Sequence, residues 1–474
     1  MLEPSTRSHT QITPRPFLLF GWVLLLVVYL TWSCQGPSVP DEPTTETTSS
    51  SEGSSKETLQ EKASGPEAST EKQDSSEPGP EAGPEAEPEQ PSPGPEPGPE
   101  PTVEPPPPDE NGPFACPTVK PTAPPAALKL DPFYKKYVDA GGLPLVGSDK
   151  VPDTAFAQAY YVIANMLRGK PCIRKALQNS GVLFGIMAES EVTTNMPEYS
   201  DLNKAFPNVD WDKRGRGFGA TLVRPLTTGA VENLLQKRAD PWFGELIFLH
   251  EFAHTFFEFG IESLEGGAKH RSTLQSLYSD ARSAGKWDKT YAATNANEYW
   301  AETVQSWFNN NLSADPPNGI HNNIDTRTEL ESYDPKMAQY IAQFFDPQPW
   351  PAYCDTSGNG RVWKDPTPSG NSGETCKLHR FFMKDKGCKD LDKRKSQNGG
   401  NNQSIVFVNR SLTKTYKLDW IDFQGVRKNY GTVAPRRSRT LSTFNAHEWV
   451  MTDDQGNCIA SYTTSHPVNV ISLP

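Results

Sequence analysis

Basic residues are missing from a long early stretch: none lies between Arg15 and Lys56. Within it, Phe17 to Trp32 carries no charge of either sign. Arg7 and Arg15 precede this apolar run, so the positive-inside rule leaves residues 1–16 as a cytoplasmic tail and exports the chain beyond the run. No small-x-small cleavage site is clear, which favours a retained signal-anchor at 17–33 over a cleaved signal peptide; both place the rest of the chain outside the cytosol. Residues 37–112 have too few apolar side chains to build a core. Glycine does not recur there at every third position, which excludes a collagen helix. No CxxC pair is present, which argues against a cysteine-ligated zinc site.

Proline and acid fill the early region instead. Between Pro37 and Asn111 there are 19 acidic residues against 3 lysines, a net of −16, whereas the whole chain is −12. The acidity therefore belongs to this segment, and residues 34–125 read as a disordered, Pro/Glu-rich stalk extended by proline and charge repulsion. Seven cysteines occur, with Cys34 at the membrane edge. The six others suggest three disulfides in an oxidising compartment, with the pairing open. Asn311, Asn402 and Asn409 head glycosylation sequons.

Folded sequence begins near Leu128. Helical spacing of apolar residues marks 153–168, 244–259, 274–283, 297–308 and 335–345. Residues 182–187 read as a buried strand. Residues 217–223 read as a second strand, placed to pair with an extended substrate as an added strand or to serve structure alone. Residues 351–403 are polar, hold three cysteines and read as a connector. From 404 short alternating strands suggest an all-β sandwich.

Inside the 244–259 helix lies His250-Glu251-Phe252-Ala253-His254. Histidines at i and i+4 share a face, so both rings reach one metal ion. Glu251 between them is placed to activate a water. The metzincin continuation is absent: Phe257 and Gly260 stand at its glycine and histidine positions. Downstream, Asn297-Glu298-Tyr-Trp-Ala-Glu302 puts two carboxylates one turn apart. This resembles the signature of gluzincins, the thermolysin-like zinc peptidases. The resemblance implies an α+β zincin-like catalytic domain at 126–350, Zn2+ as cofactor, Glu298 as third ligand and Glu302 behind one histidine. The Glu-aromatic-aromatic-Ala-Glu run is also similar to that of the anthrax lethal factor group. There a tyrosine seven residues before the ligand stabilises the oxyanion, and Tyr291 occupies that position. Glu258 and Glu262 continue the helix spacing and read as a polar face; His270 and His321 read as surface residues.

Residues 404–474 resemble the β domain of the von Hippel-Lindau protein through Phe407-Val-Asn-Arg-Ser411, Leu418-Asp-Trp-Ile-Asp-Phe-Gln-Gly425, Tyr430, Thr443, His447-Glu-Trp449 and Asp453-Asp-Gln-Gly456. By that resemblance Tyr430 and Trp449 wall a hydroxyproline pocket, and Thr443 and His447 bond the hydroxyl. The segment from Lys377 to Arg439 is basic and reads as solvated surface; in an exported chain it points to glycans before nucleic acid. The expected whole is a membrane-tethered or secreted zinc metalloendopeptidase acting on protein or peptide, with hydroxyproline-rich extracellular proteins as substrate class and no nucleic-acid partner. The alternatives are a non-catalytic matrix-binding or adhesion protein and a zinc hydrolase of a non-peptide bond.

Overall fold

In the chain's computed structural model, residues 112–367 and 375–474 are described. The apolar segment 17–33, and with it the membrane partner, lies outside the described residues, as does most of the stalk. The stalk's expected end at 125 is corrected: Phe114, Ala115 and Thr122 form backbone bridges with the folded domain, and Cys116 is disulfide-bonded to Cys354. Among the described residues no helix is long and apolar enough to cross a membrane.

Two short strands open the fold, β1 (Lys136–Asp139) and β2 (Pro144–Gly147), paired antiparallel. Gly141 and Gly142 lie between them in the left-handed region that a tight reversal needs. Helices α1 (Asp153–Met166) and α2 (Pro171–Ser180) then carry the chain to β3 (Leu183–Met187), which runs parallel to β2. Strand β4 (Leu226–Ala230) joins parallel to β3. Every residue of β3 and β4 is buried, β3 as an inner parallel strand and β4 at the end of the sheet. The four strands form one mixed sheet in the order β1-β2-β3-β4.

The strand expected at 217–223 reduces to one antiparallel bridge, Phe218 to Thr228, beyond β4. Gly217 and Gly219 lie where a Cβ would meet Ile247 Cγ2 at 2.4 Å and His254 Cβ at 2.8 Å, and the chain reverses at once: Thr221 N–H donates to Arg224 O at 2.9 Å and Arg224 N–H to Thr221 Oγ1 at 3.1 Å. The regular strand comes after that turn.

The sheet supports α3 (Ile247–Thr255), followed by a π turn at Phe256–Gly260, then α4 (Gly267–Ser283), α5 (Ala296–Trp307), α6 (Arg327–Tyr333) and α7 (Pro335–Ile341). Helix α3 begins without a side-chain cap of its own. Its first donors are answered from elsewhere: Leu246 N–H bonds Asn310 Oδ1 and Ile247 N–H bonds Asn233 Oδ1, both at 2.8 Å.

The C-terminal strands are β5 (Arg380–Phe382), β6 (Asn402–Asn409), β7 (Tyr416–Ile421), β8 (Arg427–Val433), β9 (Ser438–Phe444), β10 (Glu448–Thr452), β11 (Cys458–Thr463) and β12 (Val468–Leu473). They form an antiparallel sheet, β11-β10-β7-β8, and a mixed sheet, β5-β12-β6-β9. Alternation along β6 explains how the second sheet is used. Ile405 and Phe407 point into the core between the sheets, with Leu418, Trp449 and Ile471. Val406 and Val408 face the other way and join the core of the α+β domain, as do Phe382 and Val470. The β module and the helical domain therefore share one apolar interface.

The six cysteines pair as Cys116–Cys354, Cys172–Cys376 and Cys388–Cys458. The second ties α2 to the connector, and the third ties the connector to β11. Asn409 corrects the sequon reading: its side chain is fully buried and donates to Lys414 O and Val433 O, so it is unavailable for glycosylation in the fold.

Candidate metal centre and peptide pocket

One turn of α3 separates His250 from His254, so both imidazoles project from one face. Helix α5 packs against α3 and brings Glu298 to the same point. Asn295 makes this placement local: its side chain caps α5 by accepting from the N–H groups of Asn297 and Glu298 at 2.8 and 3.0 Å. His250 Nε2 and His254 Nε2 stand 3.1 Å apart, and each is 3.2 Å from Glu298 Oε2. Three ligands about 2.0–2.1 Å from a tetrahedral ion lie roughly 3.3 Å from one another, so the triangle fits a small divalent cation. All three side chains are buried, and Glu298 Oε1 has no hydrogen-bond partner.

The local charge points the same way. Burial opposes ionisation of His250, yet the hydrogen bond to Glu298 and the charges of Glu251, Glu302 and Glu298 outweigh it and push its pKa up to about 10. The field among these carboxylates thus favours a cation. Glu298 stays anionic, with its pKa near 2: burial raises it, and the two imidazoles bring it down further. Burial, reinforced by Glu298 against the pull of His250, raises Glu251 to about 8. A bound divalent cation would draw that value back down. Glu251 Oε2 is buried without a partner, and the backbone of Gly217–Gly219 runs close against α3, where a Cβ at 217 would meet Glu251 Cγ at 3.1 Å. Gly219 must be a glycine for this approach, since a Cβ there would meet His254 Cβ at 2.8 Å.

Behind His250 the arrangement differs from the sequence expectation. Its Nδ1 lies 3.4 Å from Glu302 Oε1 but 2.7 Å from Gln305 Oε1. Gln305 Nε2 donates to Glu245 Oε1 at 2.8 Å, which turns the amide oxygen toward the ring. His250 Nδ1 then carries the proton, and its Nε2 lone pair faces the cation site. Glu245 also meets His321 Nε2 at 3.2 Å. His321 is therefore a buried member of this network and not a surface residue. His270 is likewise half-buried, against Tyr340 and Phe344. Gln305 lies seven residues after Glu298, two turns along the same helix face, a spacing that could have revealed it.

Tyr291 sits in a short turn before α5, with its ring centroid 6.4 Å from that of His250. Burial, then the charges of Glu298 and Glu251, push its phenol pKa up, so it remains a donor. Glu258 and Glu262 are no solvated face: both are buried, paired with Arg271 and with Arg380 of β5. The π turn after α3 carries them inward from the line a regular helix would follow.

A second concave site lies in the β module. A cleft of about 350 Å³ is lined by Tyr430, Thr443, His447 and Trp449, together with Trp420, Phe423 and Phe444. Tyr430 stands at the rim, 42% exposed, edge-on to the buried Trp449 with centroids 5.2 Å apart. Trp449 Nε1 donates to Thr443 Oγ1 at 3.1 Å, and that oxygen lies 3.3 Å from His447 Nδ1. The Thr443 hydroxyl is thus engaged within the protein; if it donates to Nδ1, the His447 ring proton sits on Nε2. Burial lowers the His447 pKa and keeps the ring neutral.

Residues 394–460 match the family model of the VHL beta domain. No curated protein matches the chain. Among solved structures, that of a Pro-Pro endopeptidase from Paenibacillus alvei is similar over 44% of this chain and 98% of its own, with 16% identity and a TM-score of 0.24. A likeness that loose decides nothing about activity.

Proposed function

We propose that the protein is an exported zinc metallopeptidase whose β module holds proline- or hydroxyproline-containing segments. The observation that carries this reading is the triangle of His250 Nε2, His254 Nε2 and Glu298 Oε2, 3.1–3.2 Å on each side, with Glu251 on the same helix. Two imidazoles and one carboxylate are a zinc-type donor set, and zinc bound there supplies Lewis acidity. Glu251 takes the proton from an attacking water and passes it to the leaving amine. Tyr291 donates its phenol hydrogen to the oxyanion that forms. Gln305, and more distantly Glu302, hold the His250 ring in the required tautomer. The three disulfides support an oxidising, extracellular setting. The apolar run at 17–33 supports export, with membrane tethering as the form it takes. In the module, an aromatic cleft with one neutral histidine and one hydroxyl suits a pyrrolidine ring bearing a hydroxyl group.

The test is digestion of a proteome-derived peptide library by residues 113–474, comparing the wild-type chain, the same chain with chelator, and Glu251→Ala. Cleavage by the first alone is expected. Equal cleavage by Glu251→Ala, or none by a zinc-loaded wild type, removes the peptidase reading.

A further inference from the structure

We propose that Arg410 and Arg436, both in the β module, are positioning residues for the catalytic helix, acting through the turn at Thr221–Arg224. This inference rests on the metallopeptidase reading for its consequence in turnover, but its geometry stands apart from it.

The segment Gly217–Ala220 lies along α3. Phe218 holds it to β4 by a single backbone bridge. Gly217 lies against the Glu251 side chain, where a Cβ would meet Cγ at 3.1 Å and Oε1 at 3.3 Å. Ala220 N–H donates at 3.0 Å to Thr255 Oγ1, which lies 2.6 Å from Thr227 Oγ1. At 217 and 219 a Cβ would collide with α3, so no side chains are available there to pack the segment in place. It is held by backbone hydrogen bonds and by the buried Phe218 ring, which packs on Tyr199 and Trp211, and its course beyond Ala220 depends on how its far end is fixed.

That end is the turn, and the module fixes it. Arg410 Nε donates to Leu222 O and Arg436 Nη1 to Val223 O, each at 3.1 Å. Both carbonyls sit in a tight reversal, and these two contacts answer them across the interface. Arg436 Nε also lies 3.6 Å from Asp201 Oδ1, and Asp201 in turn holds Arg224 at 2.6 Å. The turn is thereby gripped at two carbonyls and one side chain. The partners are separated by 188 and 213 residues, so only the docked module supplies these donors. Arg410 leaves β6 and Arg436 precedes β9, neighbouring strands of the sheet whose outer face packs on the α+β core. The module thus forms part of the wall that seats Glu251.

The experiment uses residues 113–474 with Arg410→Met and Arg436→Met, singly and together. Methionine keeps much of the side-chain volume and removes the donors. Amide hydrogen exchange should accelerate roughly tenfold or more at 217–222 in the double variant, with α3 and β6–β10 within about twofold of wild type. Lysine at both positions should restore part of the protection. Turnover per bound metal should fall without loss of metal. Unchanged exchange at 217–222, or acceleration spread evenly over the module, overturns the proposal; should the double variant not fold, each single variant is judged by the same criterion. A localised acceleration in a chain that cleaves no peptide would keep the positioning role and remove the peptidase reading. Normal cleavage with unchanged exchange would do the reverse.

Discussion

Substituting Arg380 with methionine should destabilise the fold and make that loss depend on pH. Four charges meet behind the metal centre: Glu258 and Glu262 after α3, Arg271 on α4 and Arg380 on β5. Arg380 Nη1 reaches Glu258 O at 2.9 Å and Oε1 at 3.0 Å, and Nη2 reaches Glu262 Oε2 at 3.2 Å. Their formal charges cancel, and removing Arg380 leaves a surplus anion among carboxylates that are 9% exposed. Breaking a buried pair in this way costs about 3–5 kcal/mol. Arg380 and Arg271 keep 20% and 29% of their side chains accessible, so the lower end, about 3 kcal/mol, is expected. Methionine preserves most of the packed stem, which separates the charge effect from a cavity effect. Glu262 already has a raised pKa, through burial first and Glu258 second, with Arg271 and Arg380 opposing. Loss of Arg380 raises it further. The native variant then keeps a proton that the unfolded chain releases above about pH 4.3. Its stability must fall as pH rises from there through the raised value. Urea unfolding of residues 113–474 at pH 5 and pH 8 should show the larger deficit at pH 8. A deficit under about 1 kcal/mol, as an exposed pair would give, or one equal at both pH values, would refute the reasoning.

Glu298→Ala should lose bound metal while Glu251→Gln keeps it, measured by metal analysis of the purified chains; full occupancy in Glu298→Ala would remove it from the ligand set. Gln305→Leu should weaken metal affinity by roughly 10–100-fold, as loss of a partner behind a ligating histidine does, and competition with a chelator reads this directly; an unchanged affinity would return that role to Glu302. Tyr291→Phe should lower kcat by roughly 10²-fold with KM little changed if it is one oxyanion donor; an unaltered kcat would show that the phenol takes no part. In calorimetric titration of residues 113–474, hydroxyproline peptides should bind about 5–150-fold more tightly than matched proline peptides, the worth of about 1–3 kcal/mol for groups left unpaired. His447→Ala should erase most of that preference, while Trp449→Ala should weaken both peptides; equal affinities in the wild type would mean a fold kept without recognition.

Much of the metal site is local and legible in residue spacing. Histidines four apart share a helix face whatever surrounds them, and Glu298 and Glu302 share one for the same reason. Alternation likewise marks four strands of the β module, and the presence of three disulfides follows from an even cysteine set. Other features depend on partners far along the chain. Gln305 outranks Glu302 because the packing of α5 on α3 sets the two distances, and Glu245 orients the amide from a third segment. Glu258 and Glu262 leave the solvent because a π turn redirects them and Arg380 arrives from β5. The strand expected at 217–223 shrinks to one bridge because its glycines serve the close approach to α3. Residue types and their spacing determine which side chains can share a face of one element. Which faces meet, and which buried charges and carbonyls are answered, is decided by packing between elements far apart in the chain, where burial makes every unpartnered polar group costly.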